Sequence, residues 1–443
     1  MPRPHGISRL RTLWENLRSS LWFLPAVLVL GAMILAVLLI EGESFMAREQ
    51  LAKRWPRIFG AGAEGARGML SAIASSMITV AGVAFSITIV TFALASSQYT
   101  SRILRSFMRD RGNQAVLGVF LGVFAYCLLV LRTIRGGDEG VFVPSLAVVA
   151  AVLLALIAIG FLVFFIHHIA DSIQASSIIQ SVASETIRAV DRLYPPSPHD
   201  AAPGESGPGP GAEQNWVAIP AGLTGYLQVI DHDSLLAVAR ERGAVLRVEK
   251  GVGEFVIENT PLASLARAPV DDDLIQRVNS AFIAGRHRTL QQDAGYGIRQ
   301  IVDVALKALS PSINDTTTAI TCIDYLGAVL VRLADRPVAS PPTEGDQWRV
   351  IRRDPTFPEF VSLAFDQIRQ NAGANPAVLA SLLEALALIV PQTGSPDRLS
   401  ALRAQAEAVV EAAGRCIPSA RDRQEIQAAW DRFSLALHQE TPR

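Results

Sequence analysis

Ser75, Thr79, Gly82 and Ser86 recur at steps of four, three and four, which places two kinds of small polar group, hydroxyls and bare backbone, on one face of a helix. Ala93 and Ser97 roughly extend that face. In lipid it has two uses. Repeated around a symmetry axis it lines a pore, where hydroxyls and small side chains meet water and ions. Pressed against another helix it is a packing seam, the ordinary role of small residues in membranes. Arg102, Arg105 and Arg109 continue the same helix at helical spacing and would ring a cytoplasmic mouth that attracts anions. The stronger account is that retention on the cytoplasmic side and contact with lipid head groups already require basic residues here, so no selectivity is read from them.

Two further groups of residues have the types needed for chemistry. His167 and Asp171 are i, i+4 neighbours with His168 adjacent, a pair able to share a proton or hold a metal, although no third ligand is in view. Gln292, Asp293, Arg299, Gln300, Asp303 and Asn314 are polar residues in mostly apolar helical sequence, and such residues need partners: a ligand, a neighbouring subunit, or one another. Structural roles cover much of this set. Arg299, Asp303 and Lys307 form an i, i+4, i+8 ladder worth a few tenths of a kcal/mol per pair, and Asn314 or Asp315 suits a helix N-cap. Asp271-Asp272-Asp273 fits a solvated helix start, where carboxylates suit the N-terminal dipole. The chain contains no GxxxxGK[ST], GxSxG, HExxH or CxxC, and its three cysteines cannot form a disulfide framework. No catalytic residue, metal or cofactor is assigned, and an enzyme is not expected.

The elements that must carry these residues follow from composition. Half of the 443 residues are hydrophobic and only 18% are charged, with a mean hydropathy of +0.30, against about 25% charged in a soluble domain. Residues 19–40, 68–101, 112–131 and 140–170 contain no Asp, Glu, Lys or Arg. Each reaches the ~20 residues a helix needs to cross a ~30 Å hydrocarbon core. Four spans are expected, at about 20–40, 70–98, 113–133 and 142–168. The second uncharged run has 34 residues, or about 51 Å of helix, well beyond the core. Arg3, Arg9, Arg11 and Arg18 precede span one, and four arginines lie between spans two and three, so both termini are expected on the cytoplasmic side. A net charge of -1 argues against a nucleic-acid partner.

Span four is expected to continue as a helical stalk to Tyr194, closing a transmembrane domain of residues 1–194. Residues 195–213 hold ten Gly or Pro in 19 positions, a flexible linker. "GYLQVID", "AVLRVEK" and "VGEFVIENTPL" read as three strands, with a short helix between the first two, in a small cytoplasmic α+β module of residues 214–265. Residues 266–443 turn helical around a polar, Pro-rich loop at 335–356.

At "RHRTLQQDAGYGIRQIVDVALKALSPSINDTTTAITCIDYL" the chain resembles an uncharacterised family of bacterial predicted membrane proteins, domain of unknown function 2254. "SSQYTSRILRSFMRDRGNQAVLGVFLGVFAYCL" and "GYLQVID" leading to "GEFVIENTPL" add to the likeness, which covers roughly residues 10–335. The resemblance implies a multi-pass protein of the cytoplasmic (inner) membrane with a cytosolic domain, and it implies no reaction. The expected architecture is therefore an α-helical membrane protein with four transmembrane helices, then a cytoplasmic α+β module and a helical region. The expected function is that of a homo-oligomeric channel whose partners are the bilayer, copies of itself and inorganic ions. The alternative is a membrane-anchored binding or signalling module without a pore.

Overall fold

A computed structural model of the chain describes residues 22–45, 62–98, 110–135, 142–172, 174–196, 215–266, 269–338 and 350–440. The protein is mostly helical and divides into two compact units, Met1–Ser177 and Ile178–Arg443.

The first unit holds α1 (Phe23–Phe45), α2 (Ala63–Gln98), α3 (Arg111–Thr133) and α4 (Ser145–Ser172). Close approach between them is set by small residues. A Cβ on Gly118 would strike Leu28 Cδ1 at 2.6 Å and Pro25 Cα at 3.0 Å, and one on Gly122 would meet Ala32 Cβ at 3.3 Å. The two sets of contacts rise together along α1 and α3, so these helices run parallel and touch through their backbones, as small residues allow in membranes. The inward face of α2 is Ala66, Leu70, Ala74, Met77, Ala81, Ala84, Thr88 and Thr91, a run of threes and fours typical of a helix seam. Two polar bolts tie the start of α2 to the end of α3, and α3 to the start of α4. Arg67 donates to the carbonyl of Ile134 at 2.9 Å, and the buried Tyr126 hydroxyl donates to the carbonyl of Ala147 at 2.8 Å. Exposed Leu, Ile, Val and Phe cover much of the outside, as lipid contact requires.

The expected unbroken stalk is two helices. α4 ends at Ser172, whose hydroxyl turns back to the carbonyl of Ile169 at 3.0 Å, and Gln174 N–H closes a turn on Asp171. Ser and Asp compete with helical hydrogen bonds in this way, which explains the break. α5 (Ala175–Leu193) then starts afresh, and its residues from Ile178 on belong to the second unit. It does not project bare. Ile178, Ile179, Val182, Ala183, Ala189 and Val190 are buried, and Asp191 accepts from Arg332 at 2.7 Å and Arg336 at 2.8 Å.

The rest of the second unit builds two small sheets and a helical layer. β1 (Trp216–Pro220), β5 (Pro261–Ala266), β3 (Val245–Val248) and β7 (Val350–Ile351) form one sheet in that order; β4 (Phe255–Val256), β2 (Gly225–Ile230) and β6 (Phe282–Gly285) form the other. All pairings are antiparallel except β3 with β7. The single strand expected at "VGEFVIENTPL" is two, β4 and β5, in different sheets, because Asn259 adopts φ 65° in the turn between them, a conformation Asn tolerates better than most residues. α6 (His232–Glu241) and α7 (Asp272–Ser280) cover the sheets around Leu227, Leu235, Leu246, Leu265 and Leu274. Asp271 caps α7, accepting from Leu274 N–H at 2.8 Å. The helical layer is α8 (Ala294–Ala308), α9 (Thr316–Ala334), α10 (Phe357–Asn371), α11 (Pro376–Ile389), α12 (Pro396–Cys416) and α13 (Ala420–Glu440).

Among the described residues five helices are long and apolar enough to cross a membrane: α1, α2, α3, α4 and α9. The first four match the segments expected from the uncharged runs. α9 joins them on composition alone, and its apolar face, with Cys322, Leu326 and Leu330, is buried inside the second unit.

Candidate functional site

Ser75, Thr79, Gly82 and Ser86 lie on an exposed face of α2. At ~100° per residue that face is centred roughly 160° from the buried Ala66–Thr91 face, so it points away from the chain's own bundle. A Cβ on Gly82, or on Gly68 of the same stripe, would meet no atom within 4 Å. Bulkier residues flank the stripe on both sides, Val83 and Val90 on one and Phe85 and Ile89 on the other, all about half exposed. The Thr79 hydroxyl donates to the carbonyl of Ser75 at 2.8 Å, so it is satisfied within its own helix. The side chain of Ser97, and Arg102, Arg105 and Arg109, lie outside the described residues.

At the end of the bundle where α3 begins and α4 ends, the structure pairs residues that spacing alone did not. His168 Nε2 lies 2.5 Å from Asp110 Oδ2, while Asp110 Oδ1 caps α3 by accepting from Gly112 N–H at 2.9 Å. The ring of His168 stacks on Phe164 with centroids 5.2 Å apart and fills the space that a Cβ on Gly112 would need. His167 and Asp171, the pair expected from spacing, sit 3.4 Å apart with both side chains more than half exposed. Asn113, one turn into α3, is 1% exposed, and its Oδ1 has no partner among the described residues. Asp110 preceding a helix was legible as a cap. Its partnership with a histidine 58 positions on was not.

The six polar residues of the second unit do not converge on one point. Gln292 clamps the backbone of β2, accepting from Ile230 N–H at 2.9 Å and donating to the Ile230 carbonyl at 3.3 Å. Asp293 caps α8 through Tyr296 N–H at 2.9 Å and forms a two-pronged ion pair with Arg288, at 2.8 and 3.0 Å. Gly253, at φ 87°, sits directly against that pair, where a Cβ would lie 2.9 Å from Arg288 Nε. Arg299 and Asp303 make the expected helix pair at 3.0 Å, and Gln300 is buried. Asn314 is not the N-cap. It takes φ 50° in the turn, and Asp315 caps α9 through Thr318 N–H at 3.0 Å, with the Thr318 hydroxyl as a second donor at 2.6 Å. Those two donors from Thr318 hold the Asp315 carboxyl below its usual value.

A second polar group was missed because its members are far apart in sequence. Tyr194 follows α5 and packs edge-on to Phe360 with centroids 6.2 Å apart. Burial pushes its hydroxyl well above the ordinary range, and the carboxylates of Asp354 and Asp293 add to the effect. Burial holds His232 below its usual value, and Arg352, which pairs with Asp354 at 2.9 Å, adds to that. Both groups are thereby kept neutral. The Nδ1 of His232 and the Oγ1 of Thr289 are buried without a partner among the described residues. Among those residues no three His, Cys, Asp or Glu side chains gather as metal ligands.

Comparison with known proteins gives a family and no reaction. Residues 18–388 match the family described as "Predicted membrane protein (DUF2254)". An uncharacterized protein of Mycobacterium bovis and one of Mycobacterium tuberculosis are each 32% identical over 445 residues, covering 96% of this chain and 82% of the relative. No solved structure matches. With most of its length matched and its apolar helices in place, the chain belongs to the predicted membrane proteins of domain of unknown function 2254.

Proposed function

We propose that this is a homo-oligomeric, channel-like protein of the bacterial inner membrane, with the exposed stripe of α2 lining the axis and the second unit forming a cytoplasmic vestibule or regulatory ring. The observation that carries this reading is the orientation of Ser75, Thr79, Gly82 and Ser86. They face away from the chain's own helices and form a shallow groove between bulkier residues, where a neighbouring copy or a water path would lie. The 36 residues of α2 span about 54 Å, more than is needed merely to cross. α1 to α4 are the spans in this reading, and α9 is not one, since Asp324 and Arg332 interrupt it and its apolar side is buried. Arginines before α1 and between α2 and α3 support a topology with both termini in the cytoplasm. The partners are then the bilayer, identical copies and inorganic ions.

A membrane-anchored binding or signalling module is the second reading, favoured by the Thr79 hydroxyl, which needs no water because Ser75 already accepts from it. The two readings respond differently to bulk. In a pore, Ser86→Leu narrows and dries the path and lowers ion flux into proteoliposomes, with the native mass of the oligomer unchanged. At a tight seam the same substitution overpacks and breaks the assembly. If the wild-type oligomer passes no ions under varied voltage, pH and salt, and Ser86→Leu only dissociates it, the channel is wrong and the anchored module stands.

A further inference from the structure

The α3–α4 pair is bolted at two levels of unlike chemistry. Toward the start of α4 the bolt is Tyr126 to the Ala147 carbonyl, a hydrogen bond between a hydroxyl and a backbone carbonyl. At the other end it is His168 against Asp110, a contact between two ionisable side chains. The histidine is held in place from two directions, stacked on Phe164 and seated against Gly112, where no side chain fits. Asp110 is fixed by its capping bond to Gly112 N–H. Beside this contact the bundle is polar but incompletely satisfied. Twenty-one residues along α2 from Arg67, which touches Ile134, is Thr88, and twenty-one back along α3 from Ile134 is Asn113, so the equal rise of two antiparallel helices brings both to one level. Both are buried, Thr88 donates to the carbonyl of Ala84, and the Oδ1 of Asn113 has no partner among the described residues.

We propose that Asp110 and His168 form a proton-binding site that latches α3 to α4, closed while the imidazole is protonated and slackened when it is neutral, and that slackening admits water to the buried carbonyl of Asn113. The sign follows from charge. An imidazolium facing a carboxylate gains a charge-assisted hydrogen bond that neutral imidazole gives up, so the contact strengthens as pH falls through the histidine range while the carboxylate stays ionised. Among the described residues the other ionisable groups near this end are Arg111 on α3 and His167 and Asp171 on α4, all more exposed than the pair, with the last two facing each other. α1 and α2 bring no ionisable side chain to this end among the described residues. The inference is independent of conduction, since the latch lies within one chain and on the side of the bundle opposite the small-residue stripe.

The test is thermal unfolding of the full chain in nanodiscs from about pH 5.5 to 8.5, the range in which an imidazole titrates. In a His232→Gln background, which removes the opposing acid limb of His232, the chain should lose about 2–4 °C of Tm as pH rises across the window, the shift expected from one modest interaction in a domain of this size. Adding His168→Gln, Asp110→Asn or both to that background should give coincident profiles that are flat over the window, because Asn still caps the helix while the pair is gone. Gly112→Ala, which displaces the ring, should flatten the profile too. A second readout uses wild-type residues at the site, with spin labels on Arg111→Cys and Ile166→Cys in a Cys416→Ser background. Dipolar broadening should be strong at pH 5.5 and weaker at pH 8.5. A profile of the His232→Gln background that His168→Gln leaves unchanged, additive effects of the two single variants, or label spectra that do not move with pH would each overturn the proposal.

Discussion

At the scale of single residues, the second unit depends on a few polar groups whose burial fixes their charge. Asp293 is 7% exposed and is balanced at close range, among the described residues, by Arg288, so Arg288→Ala removes the counter-ion of a buried carboxylate. Breaking such a pair costs about 3 kcal/mol. Denaturant titration of the full chain should show a loss of that size, and Asp293→Asn with Arg288→Ala should recover part of it. His232 carries a pH dependence of definite sign. Its folded value lies below the ordinary 6.5, so the unfolded chain binds a proton there that the folded chain resists. Stability is therefore full above about pH 6.5 and falls as the pH drops through and below that value. His232→Gln should flatten this acid limb without changing stability at pH 8, measured by thermal scans at matched ionic strength. Little of this was visible beforehand. Asp315 was one of two N-cap candidates beside Asn314, whereas the cap at Asp293, the pairing of Arg288 with Asp293, and that of Tyr194 with groups 99 and 160 positions away were not read from the sequence and arise once the chain is folded.

At the scale of helices and strands, glycines distinguish contact from open space. A Cβ at Gly297 would collide with the hydroxyl of Thr186, so the notch in α8 is where α5 docks. Gly297→Ala should cost about 1–3 kcal/mol through overpacking, and adding Thr186→Ala should return most of that, a coupling that denaturant midpoints of the two single variants and the double variant would measure. Gly118→Leu should likewise destabilise the α1–α3 seam, whereas Gly82→Ala should leave the monomer untouched, because nothing lies within 4 Å. The four long uncharged stretches were legible because lipid admits few alternatives to an apolar helix. The strands were less so. "VGEFVIENTPL" has the composition of one strand, and only the left-handed turn at Asn259 divides it between two sheets. The stalk misled for a related reason, since apolar spacing continues across Ser172–Gln174 while the local hydrogen bonds of Ser172 and Asp171 end the helix. The pore-facing assignment of the α2 stripe rested on spacing, which identifies a shared face and says nothing of what that face meets.

At the scale of the whole molecule, the proposed topology has a direct chemical test. Cysteines introduced at Ser44 and Gly137 should react with an impermeant thiol reagent added outside intact cells, and one at Ser206 should not. Reaction at Ser206 in intact cells would place the second unit on the wrong side and end the four-span proposal. Assembly of that unit also has an order imposed by its sheets. β3 pairs with β5 fifteen to twenty-one positions later, but its other edge is closed, among the described residues, only by Val350 and Ile351, which face Leu246 and Arg247 across more than a hundred intervening residues. A growing chain emerging from the ribosome therefore presents an open strand edge throughout the synthesis of α7, α8 and α9. Open edges recruit other strands, including those of neighbouring nascent chains. Premature termination anywhere between β3 and Val350 would make this vulnerability permanent, so truncated products should be found with chaperones or in aggregates rather than in the membrane.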